Sequence, residues 1–288
     1  MDIKKIKIIL IAFLILPLVV FSQEKIKDSI IDKPERPAFE GSTVIDNQTN
    51  VLNSKNTLEI EMSHRFGLIN GGENDLAGFW APSNIRIGIS YAILDRVTVG
   101  YGTTKFDRLQ DFSLKVALLR QTRSNKIPLS VTFYGNATVN ARKKENFLLK
   151  QHRYSYFNQI IIAKRFSPNF SVQIAASVSH YNLVEAFMEN DRAAVAVGGR
   201  LKISPNTAIM FDFSQPLTQW DNPDQPDVDF NLPGVSFGLE FATSGHVFQL
   251  LISNYNGIVP QKNYMFNQND FFDGDFLIGF NITRKYNF

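Results

Sequence analysis

From residue 57 to the carboxy terminus, large apolar side chains recur at every second position, and the phase holds within each run. Ile85, Ile87, Ile89, Tyr91 and Ile93 alternate with Arg86, Gly88 and Ser90, and Phe112, Leu114, Val116 and Leu118 alternate with Ser113 and Lys115. Successive side chains of a strand point to opposite sides, so this pattern predicts strands with one apolar and one polar face. About twelve such segments follow one another. The first carries Leu58, Ile60, Met62 and Phe66, and the last spans residues 275–288, with Phe276, Ile278, Phe280, Ile282, Tyr286 and Phe288 on one parity.

The connections alternate between tight and long. Tight turns are expected at residues 94–95, 123–127, 167–169, 204–206 and 243–245, where Pro, Asn, Asp and Gly supply hairpin chemistry. Longer polar loops are expected at 67–83, 105–109, 141–151, 182–191, 216–232 and 255–272. An all-β, antiparallel transmembrane β-barrel of about twelve strands, residues 57–288, has this arrangement, with short periplasmic turns, long outward loops and both termini periplasmic. A soluble sandwich or propeller also alternates. It accounts less well for the regular short-long rhythm, or for aromatics such as Tyr154 and Tyr156 at one rim and Phe166, Phe170, Phe241 and Tyr286 at the other.

The amino terminus has a different texture. Lys4, Lys5 and Lys7 precede an almost wholly apolar run from Ile8 to Phe21, and Val20 and Ser22 stand where a signal peptidase reads. The run is shorter than the roughly 20 residues of a spanning helix. A signal peptide, residues 1–22, cleaved near Ser22, is therefore expected. Residues 23–56 read as a periplasmic extension that either packs at the barrel mouth through Phe39, Val44, Ile45 and Val51 or is a plain linker.

Composition adjusts this picture in three ways. Removing residues 1–22 takes away three lysines and Asp2, so the formal net charge falls from +3 to +1 and nucleic acid is not an expected partner. There is no cysteine, so disulfides contribute nothing to stability. The mean hydropathy of −0.11 suits a barrel, which exposes apolar side chains to lipid only at alternate positions.

The run Leu58-Glu59-Ile60-Glu61-Met62-Ser63-His64-Arg65-Phe66-Gly67, the opening Asn84-Ile85-Arg86-Ile87-Gly88 and the terminal strand resemble a porin-like family of gram-negative outer-membrane β-barrels of unknown function. The resemblance runs from about Val44 to Phe288 and implies the same topology and location in the outer membrane. It implies no catalytic residues.

The polar parity predicts the lumen. Glu59, Glu61, Arg65, Arg86, Lys115, Arg153, Arg200, Asp212, Glu240 and Lys285 are its candidate lining. They suit either ion pairs that fill the interior or a weakly selective eyelet for small polar solutes. Twelve strands lie between the filled barrels of about eight and the open pores of about sixteen. A narrow channel and a plugged, partner-docking barrel both remain open readings. The outward row is expected to meet outer-membrane lipid, with Phe280, Ile282, Tyr286 and Phe288 as the signal read by the barrel-assembly machinery.

Catalysis is not expected. The adjacent pairs Ser63-His64 and Ser179-His180 fall on opposite strand faces, which prevents proton transfer within a pair. No cofactor or metal is expected: the acidic stretch 221–229 lacks the glycine turn and closing glutamate of a calcium loop. Trp80 and Trp220, both in long loops, suit contact with a glycan or partner, or anchoring at the membrane edge.

Overall fold

The computed structural model describes residues 32–226 and 228–288; the expected signal peptide and the start of the extension lie outside them. Residues 34–288 form one compact unit. Two short strands, β1 (Thr43–Val44) and β2 (Asn47–Gln48), pair as a hairpin. The remaining twelve strands close into a barrel in which each pairs with its neighbours in sequence and the last pairs with the first. It opens with β3 (Thr57–Leu68) and ends with β14 (Leu277–Asn287). These two seal the barrel, with Phe280 opposite His64 and Ile282 opposite Met62.

Between them lie β4 (Asn84–Leu94), β5 (Val97–Thr104), β6 (Leu109–Leu119), β7 (Ser130–Asn140) and β8 (Tyr154–Arg165). Then come β9 (Phe170–Tyr181), β10 (Asp191–Lys202), β11 (Thr207–Pro216), β12 (Gly234–Ala242) and β13 (His246–Ser253). Every neighbouring pair is antiparallel. Among the described residues no helix is long and apolar enough to cross a membrane, and the strands alone make the wall.

The outward row is what a lipid-facing surface requires. Phe112, Leu250, Ile174 and Ile89 are exposed, each about half of its surface, on strand after strand. A continuous apolar band of this extent in water would drive aggregation. In hydrocarbon it is the favourable face of a closed sheet that leaves no edge. Arg284 shares the outward parity near the tight-turn end, and its guanidinium lies 4.8 Å from the Tyr286 ring centroid, an arrangement suited to the interface.

Three boundaries and one side chain differ from the pattern. β14 starts at Leu277, two residues after the expected 275, and its pairing with β3 shifts register between Leu277 and Gly279, where β3 carries the extra residue. The connection after β6 spans residues 120–129 instead of a tight turn at 123–127, and it carries a bridge between Thr122 and Pro34. The connection at 105–108 is as short as the tight turns. Val235, on the outward parity, is buried, and its amide donates to the Asn254 side chain of the loop above.

A plugged lumen as the candidate functional site

Residues 34–56 enter the barrel from the end where the tight turns lie, turn inside it and return. Glu35 N donates to Gln121 O at the mouth, and the chain leaves toward β3 with Asn56 N donating to Ala92 O. Phe39, Val44, Ile45 and Val51 are each at most 5% exposed and pack with Ala38 against the inward side chains Ala163, Met210 and Leu251. The apolar extension thus has a matching apolar patch on an otherwise polar wall.

The hairpin tip is held by charge. Its turn places Ile45 at φ 56, a left-handed conformation unfavourable for a β-branched residue. Asp46 compensates. Its Oδ1 accepts from Arg65 Nη2 at 2.9 Å, and its Oδ2 accepts from the Ser236 and Ser253 hydroxyls, each at 2.7 Å. Asp212 accepts from the amides of Asp46 (3.1 Å) and Asn47 (2.9 Å) and from Asn47 Nδ2 (2.8 Å). Arg65 Nη1 also donates to Asn281 Oδ1. The tip is therefore gripped from β3, β11, β12, β13 and β14.

A second segment enters from the opposite end. The loop between β13 and β14 contains a short helix, α1 (Pro260–Phe266), with proline opening it. Gln261 Nε2 donates to Asn136 Oδ1 (3.0 Å) and Thr138 Oγ1 (2.7 Å) of β7. Tyr264 stacks on Phe157 at 5.6 Å, and its hydroxyl donates to Asn47 Oδ1 at 2.6 Å. The two inserted segments thus meet inside the lumen. Burial holds the Tyr255 and Tyr264 phenols well above the ordinary tyrosine range.

Arg192 of β10 ties this lid together, with no acidic partner at bonding distance among the described residues. Its fork donates to the carbonyls of Thr218, Phe230, Tyr264 and Met265 and to Asn231 Oδ1. Trp220 covers it, with the ring centroid 4.0 Å away. Trp220 is therefore a buried structural residue, not one presented to a glycan or partner; Trp80 is exposed.

Most of the expected lining residues take part in the plug. Glu59 accepts from Ser42 Oγ and Asn53 Nδ2, Lys115 donates to Ser42 O, and Lys285 donates to Glu40 O. Arg200 pairs with Glu240 at 2.6 Å and Glu40 at 3.7 Å. Arg86 bridges Asp111 (2.8 Å) and Glu61 (3.2 Å) on the opposite wall. Arg153 is the exception. It precedes β8 in a helical turn and donates to the carbonyl of Asn140 at the end of β7, at the long-loop rim and outside the plug.

Two small cavities lie along β3 to β7. A cavity of about 50 Å³ and another of about 20 Å³ share Gln48, Glu61, Arg86 and Tyr134 in their linings. Glycine makes this strip: a Cβ on Gly102 would stand 2.3 Å from Arg86 Nη2. There is room for a few waters. A roomier recess of about 210 Å³ lies at the tight-turn mouth, between residues 34–38 and the ends of β6 and β7.

No protease-like arrangement joins the serine and histidine pairs. Ser63 and Ser179 are buried inward, whereas His64 stacks on outward Phe280 and His180 packs beside outward Tyr156. Among the described residues, no three acidic or histidine side chains converge as a metal-holding group.

The inserted segments have a sequence signature that polar-parity reasoning passes over. Strand β8 is apolar on both faces: Ile160 and Ile162 point outward, while Phe157, Ile161 and Ala163 are buried inward. An inward apolar row in a barrel of polar lumen marks a wall with something packed against it.

A closed antiparallel barrel with an apolar exterior and a filled polar interior defines a membrane β-barrel. The chain matches the family described as membrane bound beta barrel domain (DUF5777) over residues 39–286, and it belongs to that family. The match begins inside the plug, at residue 39. Among solved structures, the chain is similar to an outer-membrane channel from Pseudomonas putida F1, with 12% identity and a TM-score of 0.51, covering 82% of this chain and 97% of that one. It also resembles the NanC porin, with 9% identity and a TM-score of 0.48, covering 80% of this chain and 100% of the porin. No curated protein matches it in sequence.

Proposed function

We propose that the protein is a non-enzymatic outer-membrane channel for small hydrophilic solutes, closed at rest by residues 34–56 from the periplasmic side and by the α1 loop from outside. The observation that carries this reading is the contact between Tyr264 and Asn47, where segments entering from opposite ends meet in a polar lumen. The similarity to a solved outer-membrane channel supports the same reading. In this arrangement the tight turns and both termini are periplasmic and the long loops face outward.

A plugged barrel that only docks a partner is favoured by one fact, the small volume left in the lumen. Planar-bilayer conductance separates the two. The intact mature chain is expected to conduct rarely and weakly, and deletion of residues 23–56 to give sustained small steps. A folded deletion variant that never conducts would overturn the channel; large steady conductance of the intact chain would overturn the closure.

A further inference from the structure

The long-loop end of the barrel is charge-segregated. The loop between β7 and β8, residues 141–153, carries Arg142, Lys143, Lys144, Lys150 and Arg153 against one carboxylate, Glu145. The loops at 69–83, 182–190 and 217–233 contain acidic residues and neither lysine nor arginine. The basic loop also bears the most exposed large apolar side chain among the described residues: Leu148 is 94% exposed, and its neighbour Leu149 is 51% exposed.

The base of this loop is ordered. Arg142 and Arg153 flank the Phe147 ring at 5.8 and 5.7 Å, and Arg142 pairs with Asp107 at 3.4 Å. The crest is not engaged: Lys143, Lys144 and Lys150 are exposed and form no ion pair among the described residues. A rigid base thus presents three unpaired cations and two bare leucines. Folding in water gives no reason for the leucines to stand there. A headgroup layer satisfies both features, since phosphates take the cations and the acyl boundary takes the leucines. The position fits as well. Tyr154 follows the loop directly, and outward Tyr156 marks the aromatic rim at which headgroups lie.

We propose that residues 142–150 form a docking surface for a phosphate-bearing lipid of the leaflet around the long-loop end. Lys143, Lys144 and Lys150 engage the phosphates, and Leu148 and Leu149 enter the acyl boundary. This rests on membrane placement alone and is independent of whether the lumen conducts.

The test uses the full folded chain in micelles of an uncharged detergent. It is titrated with a diphosphorylated glucosamine-disaccharide lipid and with the same lipid stripped of phosphate, and occupancy is read by native mass spectrometry. Each cation near an anionic surface contributes about fivefold, so the phosphorylated lipid should bind roughly a hundredfold more tightly, and K143Q/K144Q/K150Q should abolish most of that preference. L148S/L149S should weaken both lipids by about tenfold or more and leave the preference in place. Equal binding of the two lipids, or an unchanged preference in the triple lysine variant, overturns the proposal. So does full affinity in L148S/L149S, which points to a soluble acidic partner. Displacement by millimolar inorganic phosphate also overturns it, since the site would then bind phosphate alone.

Discussion

Asp46 and Arg65 carry the plug at the scale of single residues. Their side chains are 2% and 1% exposed, so neither charge is solvated by water, and each depends on the other and on nearby hydroxyl and amide groups. Removing one partner of such a pair costs about 3–5 kcal/mol, because the other is left buried and unpaired. Arg65→Ala and Asp46→Ala should each loosen the hairpin by about that much, and the double variant should recover part of the loss. Hydrogen exchange of the amides at 43–48 measures it; full protection in either single variant would refute the assignment. The sequence placed Arg65 and Asp212 in the lumen by parity, yet nothing local identified Asp46 as the partner, since it sits in a turn that only makes sense inside the barrel.

The inserted elements cannot stand alone. At seven residues α1 is far below the length at which an isolated helix persists, so its conformation is imposed by Gln261, Tyr264 and the Arg192 clamp. Tyr264→Phe should weaken lid closure by about 1 kcal/mol through loss of one hydrogen bond. Arg192→Lys should be nearly as disruptive as Arg192→Met, because an ammonium cannot reach the acceptors that a guanidinium fork spans. Limited proteolysis of residues 217–233 and 254–276 reads both. Alkaline pH acts on the same element. The Tyr255 and Tyr264 phenols hold their protons more tightly when folded, so the lid is fully stable below the ordinary tyrosine value of about 10 and loses stability as pH rises above it. Reversible loss of exchange protection in α1 above about pH 10 is expected, with a smaller effect in Tyr264→Phe. The loop at 254–276 was legible as long and polar; its return into the lumen was not, because only β8's inward Phe157 and Ile161 signal it.

At the scale of the molecule, stability depends on which solvent each face meets. Ile89 lies in the middle of β4 on the outward face and is 48% exposed. Ile89→Lys should destabilise the folded barrel by about 2–4 kcal/mol in a bilayer, and the same change at Ile93 nearer the rim by less, as seen in denaturant midpoints in liposomes. Equal costs at the two depths would contradict a membrane-spanning wall. The alternation, strand number and connection rhythm made this exterior legible, since lipid acts on every second residue of every strand.

The sequence by itself determined the wall: period two sets which side chains face out, and even strand number with tight and long connections closes the sheet. Only the tertiary structure decided what occupies the interior. Residues 34–56 lie far along the chain from Asp212, Ser236, Ser253 and Tyr264, and their contacts depend on radial position inside a closed barrel. No local periodicity encodes that position, because a lumen is defined by all the strands at once.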